Sequence, residues 1–236
     1  MKCLCLIVFL AFVITHSYND LEVEAASSDG FVSRKGVQFI LNGEPFYANG
    51  FNAYWLMYEA TDPNTRYKVT HALENAAGQG LTIARTWGFR DGGYRALQTN
   101  LSSYDEQTFP KLDEKSLLDY LRKNLAGHIE DAQNVLKKPL ILGEFGKPSD
   151  APGYTQAQRD AVFTTAFDII YVSAQKGGAA AGALFWHLIS DDMNNFRDAY
   201  SISLSEKSST INIIGQQSRK MNLIGGKGKP GRKNKI

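Results

Sequence analysis

Leu140-Ile141-Leu142-Gly143-Glu144-Phe145-Gly146, opened by Pro139, is the stretch that most constrains this chain. A short apolar run bounded by Pro and Gly reads as a strand buried on both faces. It places one carboxylate, Glu144, at the strand's C-terminal end. In sheets wrapped by helices, that end is where chemistry collects. Glu144 is therefore a candidate catalytic residue, or else an ordinary polar residue closing a strand.

The flanking sequence repeats this unit. Residues 31–47 alternate around Asn42-Gly43, with Val37, Phe39 and Leu41 on one face, which predicts a β-hairpin. The hairpin leads into a first core strand at 46–52. The loop after it, Ala53 to Tyr58, is rich in aromatic rings; Trp55 is either a sugar-stacking platform or a core residue. Asp62 and Pro63 suit the start of a helix running to Gln79, with a stripe of Val69, Leu73, Ala76 and Ala77. A second core strand follows at 81–87. Arg85 near its end needs a partner if buried, and Glu144 is the candidate. Residues 91–110 read as a polar loop. Leu117, Leu121, Leu125 and Ile129 then recur at helical spacing over 112–137, before the Glu144 strand. Thr155 with Gln158 forms a capping-box pattern for the next helix. The fourth core strand, 181–188, ends near Trp186 and His187. His187 is the best-placed histidine for acid/base work, or a structural one. Asp191 and Asp192 follow, and Ser205 is the expected cap of a last helix reaching Met221.

Strands and helices thus alternate, which predicts an α/β architecture with parallel strands. Trp55, Arg85, Glu144 and Trp186 all fall at or just past C-terminal strand ends. The 236 residues, 43% hydrophobic, suffice for one domain. Residues 1–26 read as a secretory leader: Lys2, an apolar block from Cys3 to Ile14 too short to span a bilayer, then Ala25-Ala26. Both cysteines, Cys3 and Cys5, lie in it, so the secreted form is expected to have no disulfide. Asn100-Leu101-Ser102 is a candidate sequon in that context. Residues 225–236 form a basic tail, read as a solvated end or a polyanion contact. The net charge of +2 decides nothing about nucleic acid. No metal-ligand spacing, phosphate loop or nucleotide fingerprint is present, so no cofactor is expected.

Residues 46–58, the run Ile83-Ala84-Arg85-Thr86-Trp87-Gly88-Phe89-Arg90-Asp91, residues 140–146 and Leu184-Phe185-Trp186 resemble plant endo-β-1,4-mannanases of glycoside hydrolase family 5. The resemblance covers 27–224. It implies a (β/α)8 TIM-barrel fold and retaining hydrolysis of mannan main chains in the cell wall, with mannan-type polysaccharide as partner and neither nucleic acid nor membrane. It further implies Glu144 as nucleophile, Arg85 as the residue that orients it, and Trp55 and Trp186 as substrate-binding rings.

The pattern is also incomplete. The family's acid/base Glu lies in an Asn-Glu-Pro motif, which this chain lacks, and the strand-six His-x-Tyr signature is absent too. Near Phe109 to Leu112 the pattern jumps from strand two to strand seven. The expectation is a truncated half-barrel of four strands in the spatial order third, fourth, first, second, with open edges and an uncovered inner face. Open edges invite self-association, including two copies pairing as barrel halves. Three readings follow: a hydrolase of doubtful competence, with Asp91, Asp191 or Asp192 as the substitute acid; a non-catalytic mannan-binding remnant; and a splice product or incomplete reading frame.

Overall fold

Residues 30–86 and 113–226 are described by the computed structural model. The expected leader with Cys3 and Cys5, Asp91, Asn100 and residues 227–236 lie outside them. Among the described residues no helix is long and apolar enough to cross a membrane.

The chain opens on a three-stranded antiparallel meander, β1 (Val32–Lys35), β2 (Gln38–Leu41) and β3 (Glu44–Phe46). Asn42 and Gly43 turn β2 into β3 with φ of 53° and 80°. Two successive positive φ values give the hairpin turn whose twist matches its strands. The predicted hairpin is present, with one strand more than expected.

The centre of the fold is a four-stranded parallel sheet: β4 (Ala48–Asn52), β5 (Ile83–Arg85), β6 (Leu140–Phe145) and β7 (Ala180–Phe185). Their order is β5-β4-β7-β6, the order expected from the sequence. Close approach of the central strands requires glycine. A Cβ on Gly182 meets the Ala48 carbonyl oxygen at 1.9 Å, and one on Gly50 meets that of Ile83 at 1.9 Å.

Helices α1 (Leu56–Thr61), α2 (Arg66–Gly78), α3 (Glu114–Asp131), α4 (Gln156–Gln175) and α5 (Ser209–Ile224) connect and cover the strands. α4 starts on the full capping box: the Thr155 hydroxyl accepts from the Gln158 N–H, and the Gln158 side chain accepts from the Thr155 N–H. α3 is capped by Asp113, which accepts from the Ser116 N–H at 2.9 Å. It continues through a wider turn to Leu136 and stops at Lys137, whose φ is 51°. α4 packs between α3 and α5. Phe163 and Phe167 on α4 meet Phe145 of β6, with ring centroids 4.9 and 5.3 Å away. Burying each such ring contributes about 1.5–3 kcal/mol.

Several expectations need correction. The inner face is not uncovered: every residue of β4 and β7 is buried, and only the outer strands β5 and β6 are part exposed. The aromatic loop contains the helix α1 and turns inward. On α2, Ala72 and Ala76 face the core while Leu73 is 43% exposed, so the buried stripe is narrower than the apolar one. The strand expected at 181–188 ends at Phe185. Leu188–Ile189 instead form β8, paired in parallel with β9 (Ile202–Ser203). Ser205 does not cap the last helix, because Asp191 takes its hydroxyl.

Candidate active site

The parallel register sets the rim. Asn52 lies opposite Arg85 in the β4–β5 pair, Phe51 opposite Phe185 in β4–β7, and Phe145 opposite Phe185 in β6–β7. Asn52, Arg85, Glu144 and Trp186 therefore stand at neighbouring C-terminal strand ends.

Arg85 and Glu144 come from the two outermost strands. On a flat sheet these are three spacings of about 4.8 Å apart. Their guanidinium and carboxylate nevertheless meet in a close ion pair between Nη1 and Oε1. The sheet must curl to bring them together. The same Nη1 donates to Oδ1 of Asn52 at 2.9 Å. Asn52 is buried, 1% exposed, and its amide Nδ2 lies 2.9 Å from the Gly143 carbonyl oxygen, 3.2 Å from that of Phe185 and 3.3 Å from that of Leu184. One amide thus ties β4 to β6 and β7 and orients Arg85 with its other end. The pair faces solvent, with the Arg85 side chain 42% exposed and that of Glu144 19%. It is accessible to a ligand, while one carboxylate oxygen is fixed.

Trp186 is half-buried and lies parallel to Tyr54, centroids 5.9 Å apart at 9°. The Tyr54 hydroxyl donates to the Phe196 carbonyl at 3.2 Å, and burial, then the charges of Asp198 and Tyr58, push its pKa up to about 12. A Cβ on Gly146 would lie 2.8 Å from the Trp186 carbonyl oxygen, so the loop after Glu144 runs directly past this residue.

Trp55 is not at the rim. Its ring is fully buried and its indole N–H donates to the Leu188 carbonyl at 2.7 Å. The helix that begins at Leu56 turns the indole inward, which corrects the expectation of a substrate-binding ring. His187 is equally enclosed. Its Nε2 lies 2.9 Å from the Ser201 hydroxyl and 3.2 Å from Asp198, so it fastens the loop before β9. Burial raises the Asp198 pKa, but hydrogen bonds from His187, the Tyr200 N–H and Ser201 outweigh it and hold the carboxyl below its usual range.

Two of the three substitute acids are occupied elsewhere, and the third, Asp91, lies outside the described residues. Asp191 accepts from Ser203 and Ser205, and these hydrogen bonds hold its carboxyl low. Asp192 accepts from the Tyr67 hydroxyl at 2.9 Å and lies 3.9 Å from Lys68. Among the described residues no carboxylate but Glu144 pairs with Arg85, and no cluster suited to a metal ion is present.

Sequence reasoning missed Asn52. The available signal was an amide closing a buried strand at the level of Arg85.

A curled parallel sheet with a carboxylate, an arginine and a half-buried tryptophan on its C-terminal rim is the arrangement of a partial (β/α)8 barrel. The comparisons agree. A solved glycoside hydrolase family 5 mannosidase from Rhizomucor miehei superposes with a TM-score of 0.65 over 86% of this chain and 100% of that one, at 12% identity, a likeness of fold. Mannan endo-1,4-beta-mannosidase 3 of Arabidopsis thaliana is 40% identical, covering 97% of this chain and 99% of the relative. Putative mannan endo-1,4-beta-mannosidase 4 of the same plant is 38% identical, covering 95% and 99%. No family model matches. The chain belongs to the plant mannan endo-1,4-beta-mannosidases. The first alignment runs over 408 positions against a chain of 236 residues, so a large share of its positions has no residue of this chain opposite.

Proposed function

We propose that the rim at Arg85, Glu144 and Trp186 takes β-1,4-linked mannan, with Glu144 placed as the nucleophile of a retaining cleavage. The observation that carries this is the Glu144 carboxylate held by Arg85 at the mouth of a family 5 sheet. Glu144 forms a bond to the anomeric carbon as the bond to the glycosidic oxygen breaks. The departing oxygen must take a proton. Water then displaces Glu144 and releases the sugar with its original configuration. Such enzymes hold two carboxyl groups about 5–5.5 Å apart for these two tasks.

Asp91, one of the three candidates for the second group, lies outside the described residues. Asp191 and Asp192 are committed to other partners, and Asp191 is held ionised, which unfits it as a proton donor. Losing general acid/base help costs about 10²–10⁴-fold. The chain therefore binds mannan and turns it over slowly. The leader at 1–26 carries it to the cell wall, where such polymers lie.

The test is migration through a native gel containing galactomannan, paired with reducing-sugar release. The expected result is retardation with weak release. Trp186→Ala should weaken retention about tenfold, the equivalent of about 1.4 kcal/mol of stacking. Migration unaffected by the polymer sinks the binding reading. Vigorous release lost in Glu144→Ala sinks the slow-turnover reading.

A further inference from the structure

A cavity of about 230 Å³ opens between α2 and the β8–β9 pair, and none of Arg85, Glu144 and Trp186 lines it. It is smaller than the roughly 300–1,000 Å³ of sites for drug-sized ligands, so it suits one small ring. His71 and Asn75 of α2 form one wall, and Asp191 and Asp192 the other. Among the described residues the His71 imidazole and the Asn75 amide make no side-chain hydrogen bond, so both are open to a ligand. Asp192 is held through one oxygen: its Oδ2 accepts from the Tyr67 hydroxyl at 2.9 Å and lies 3.9 Å from Nζ of Lys68. Its Oδ1 is left to accept. The same hydroxyl pins the Tyr67 ring, which is 51% exposed and stands edge-on to His71, centroids 5.6 Å apart. Tyr67 thus touches both walls and keeps a flat apolar face ready at the cavity's edge, with little left to order on binding.

The lining selects its ligand. Two carboxylates repel an anion. A hard divalent cation takes about six to eight oxygens, but Ser203 and Ser205 donate to Asp191, which leaves the free oxygen of Asp192 as too small a set. An apolar ligand would strand the amide, the imidazole and the carboxylate. A neutral ring rich in hydroxyls satisfies them all: it donates to Asp192, accepts from Asn75, bonds to His71 and lays its C–H face on Tyr67. We propose that this cavity is a second sugar site, which takes one hexopyranose unit of the polymer held at the mouth. The identity of the polymer rests on the mannan reading; the choice of a hexose rests on the cavity. Such a site adds a hold on the polymer and no second hydrolytic centre. Two contacts on one polymer raise retention beyond either alone, because the second forms within the complex.

Proton NMR of the full chain tests it. The His71 imidazole C–H signal reports on the cavity and the Trp186 indole N–H signal on the mouth, each assigned by its absence in His71→Gln and Trp186→Ala. Mannobiose probes main-chain units, and methyl galactoside probes side branches. The expected result is a saturable shift of the His71 signal with at least one of these sugars, retained in Trp186→Ala. Tyr67→Ala should weaken that binding about fivefold, and Tyr67→Phe, which keeps the ring, should lose less. A His71 signal unmoved by both sugars overturns the proposal; movement of the Trp186 signal in the same titration leaves the mannan reading standing. A His71 signal moved equally by glycerol also overturns it, because any polyol would then serve. Should circular dichroism show that Tyr67→Ala does not fold, Asn75→Ala decides: alanine suits an exposed helical position, and an unchanged His71 titration in that variant overturns the proposal.

Discussion

Replacing Asn52 by Ala removes the amide that joins three strands and seats Arg85. Its Nδ2 has two hydrogens and three carbonyl oxygens within 3.3 Å, so it satisfies about two acceptors at a time. Each buried acceptor left without a donor costs about 1–3 kcal/mol. The Arg85 guanidinium is part exposed and recovers its lost partner from water. The net loss works out to about 3 kcal/mol. With an m-value of about 2 kcal/mol/M in urea, the unfolding midpoint falls by about 1.5 M. Asn52→Asp should be at least as harmful: the new oxygen faces the carbonyls with a negative charge, although an acceptor for Arg85 is restored. The assay is urea unfolding followed by Trp fluorescence, with far-ultraviolet circular dichroism as a second probe. A midpoint for Asn52→Ala indistinguishable from the parent's refutes the role given to this amide. A midpoint for Asn52→Asp well above that of Asn52→Ala refutes the donor argument in particular.

Gly182→Ala drives a methyl into the Ala48 backbone, 1.9 Å from its carbonyl oxygen, and no flexible side chain is there to move aside. Soluble expression should collapse, whereas Gly127→Ala, where the added methyl meets nothing within 4 Å, should be tolerated. Asp191 gives a pH prediction. The Ser203 and Ser205 hydrogen bonds set its folded pKa below the unfolded value of about 3.9, so its contribution is complete above that value and is lost as pH falls through the folded one. Asp191→Asn should therefore flatten part of the stability loss below about pH 4, read from unfolding midpoints across an acid series. An unchanged acid limb would count against those hydrogen bonds.

Much of the architecture was legible because β6 and β7 read as apolar runs with a distinctive residue near the end, Glu144 and Trp186. The strand order followed from the family resemblance, in whose closed barrel these four strands are neighbours, and Arg85 was assigned to Glu144 from the cost of leaving a charge unpaired. Thr155 and Gln158 specified their helix by local hydrogen bonds, which need nothing distant. The misreadings share the opposite property. Trp55 was ambiguous because its indole N–H is satisfied by the Leu188 carbonyl, 133 residues away. Ser205 looked like a cap, yet Asp191 reaches it from another loop and the helix begins later. Leu73 belongs to the helical stripe but points outward, because packing covers only the small residues beside it. Asn52 carries no motif; its importance lies in three carbonyls that only the folded sheet gathers.

The central claim is an attacking carboxylate that works without its proton donor. It is tested most directly by a dinitrophenyl β-mannobioside, whose leaving group departs unprotonated. The account predicts a burst of dinitrophenol stoichiometric with protein, abolished in Glu144→Ala, while galactomannan is cleaved only slowly. Equal ease on both substrates, or a burst that survives Glu144→Ala, contradicts it.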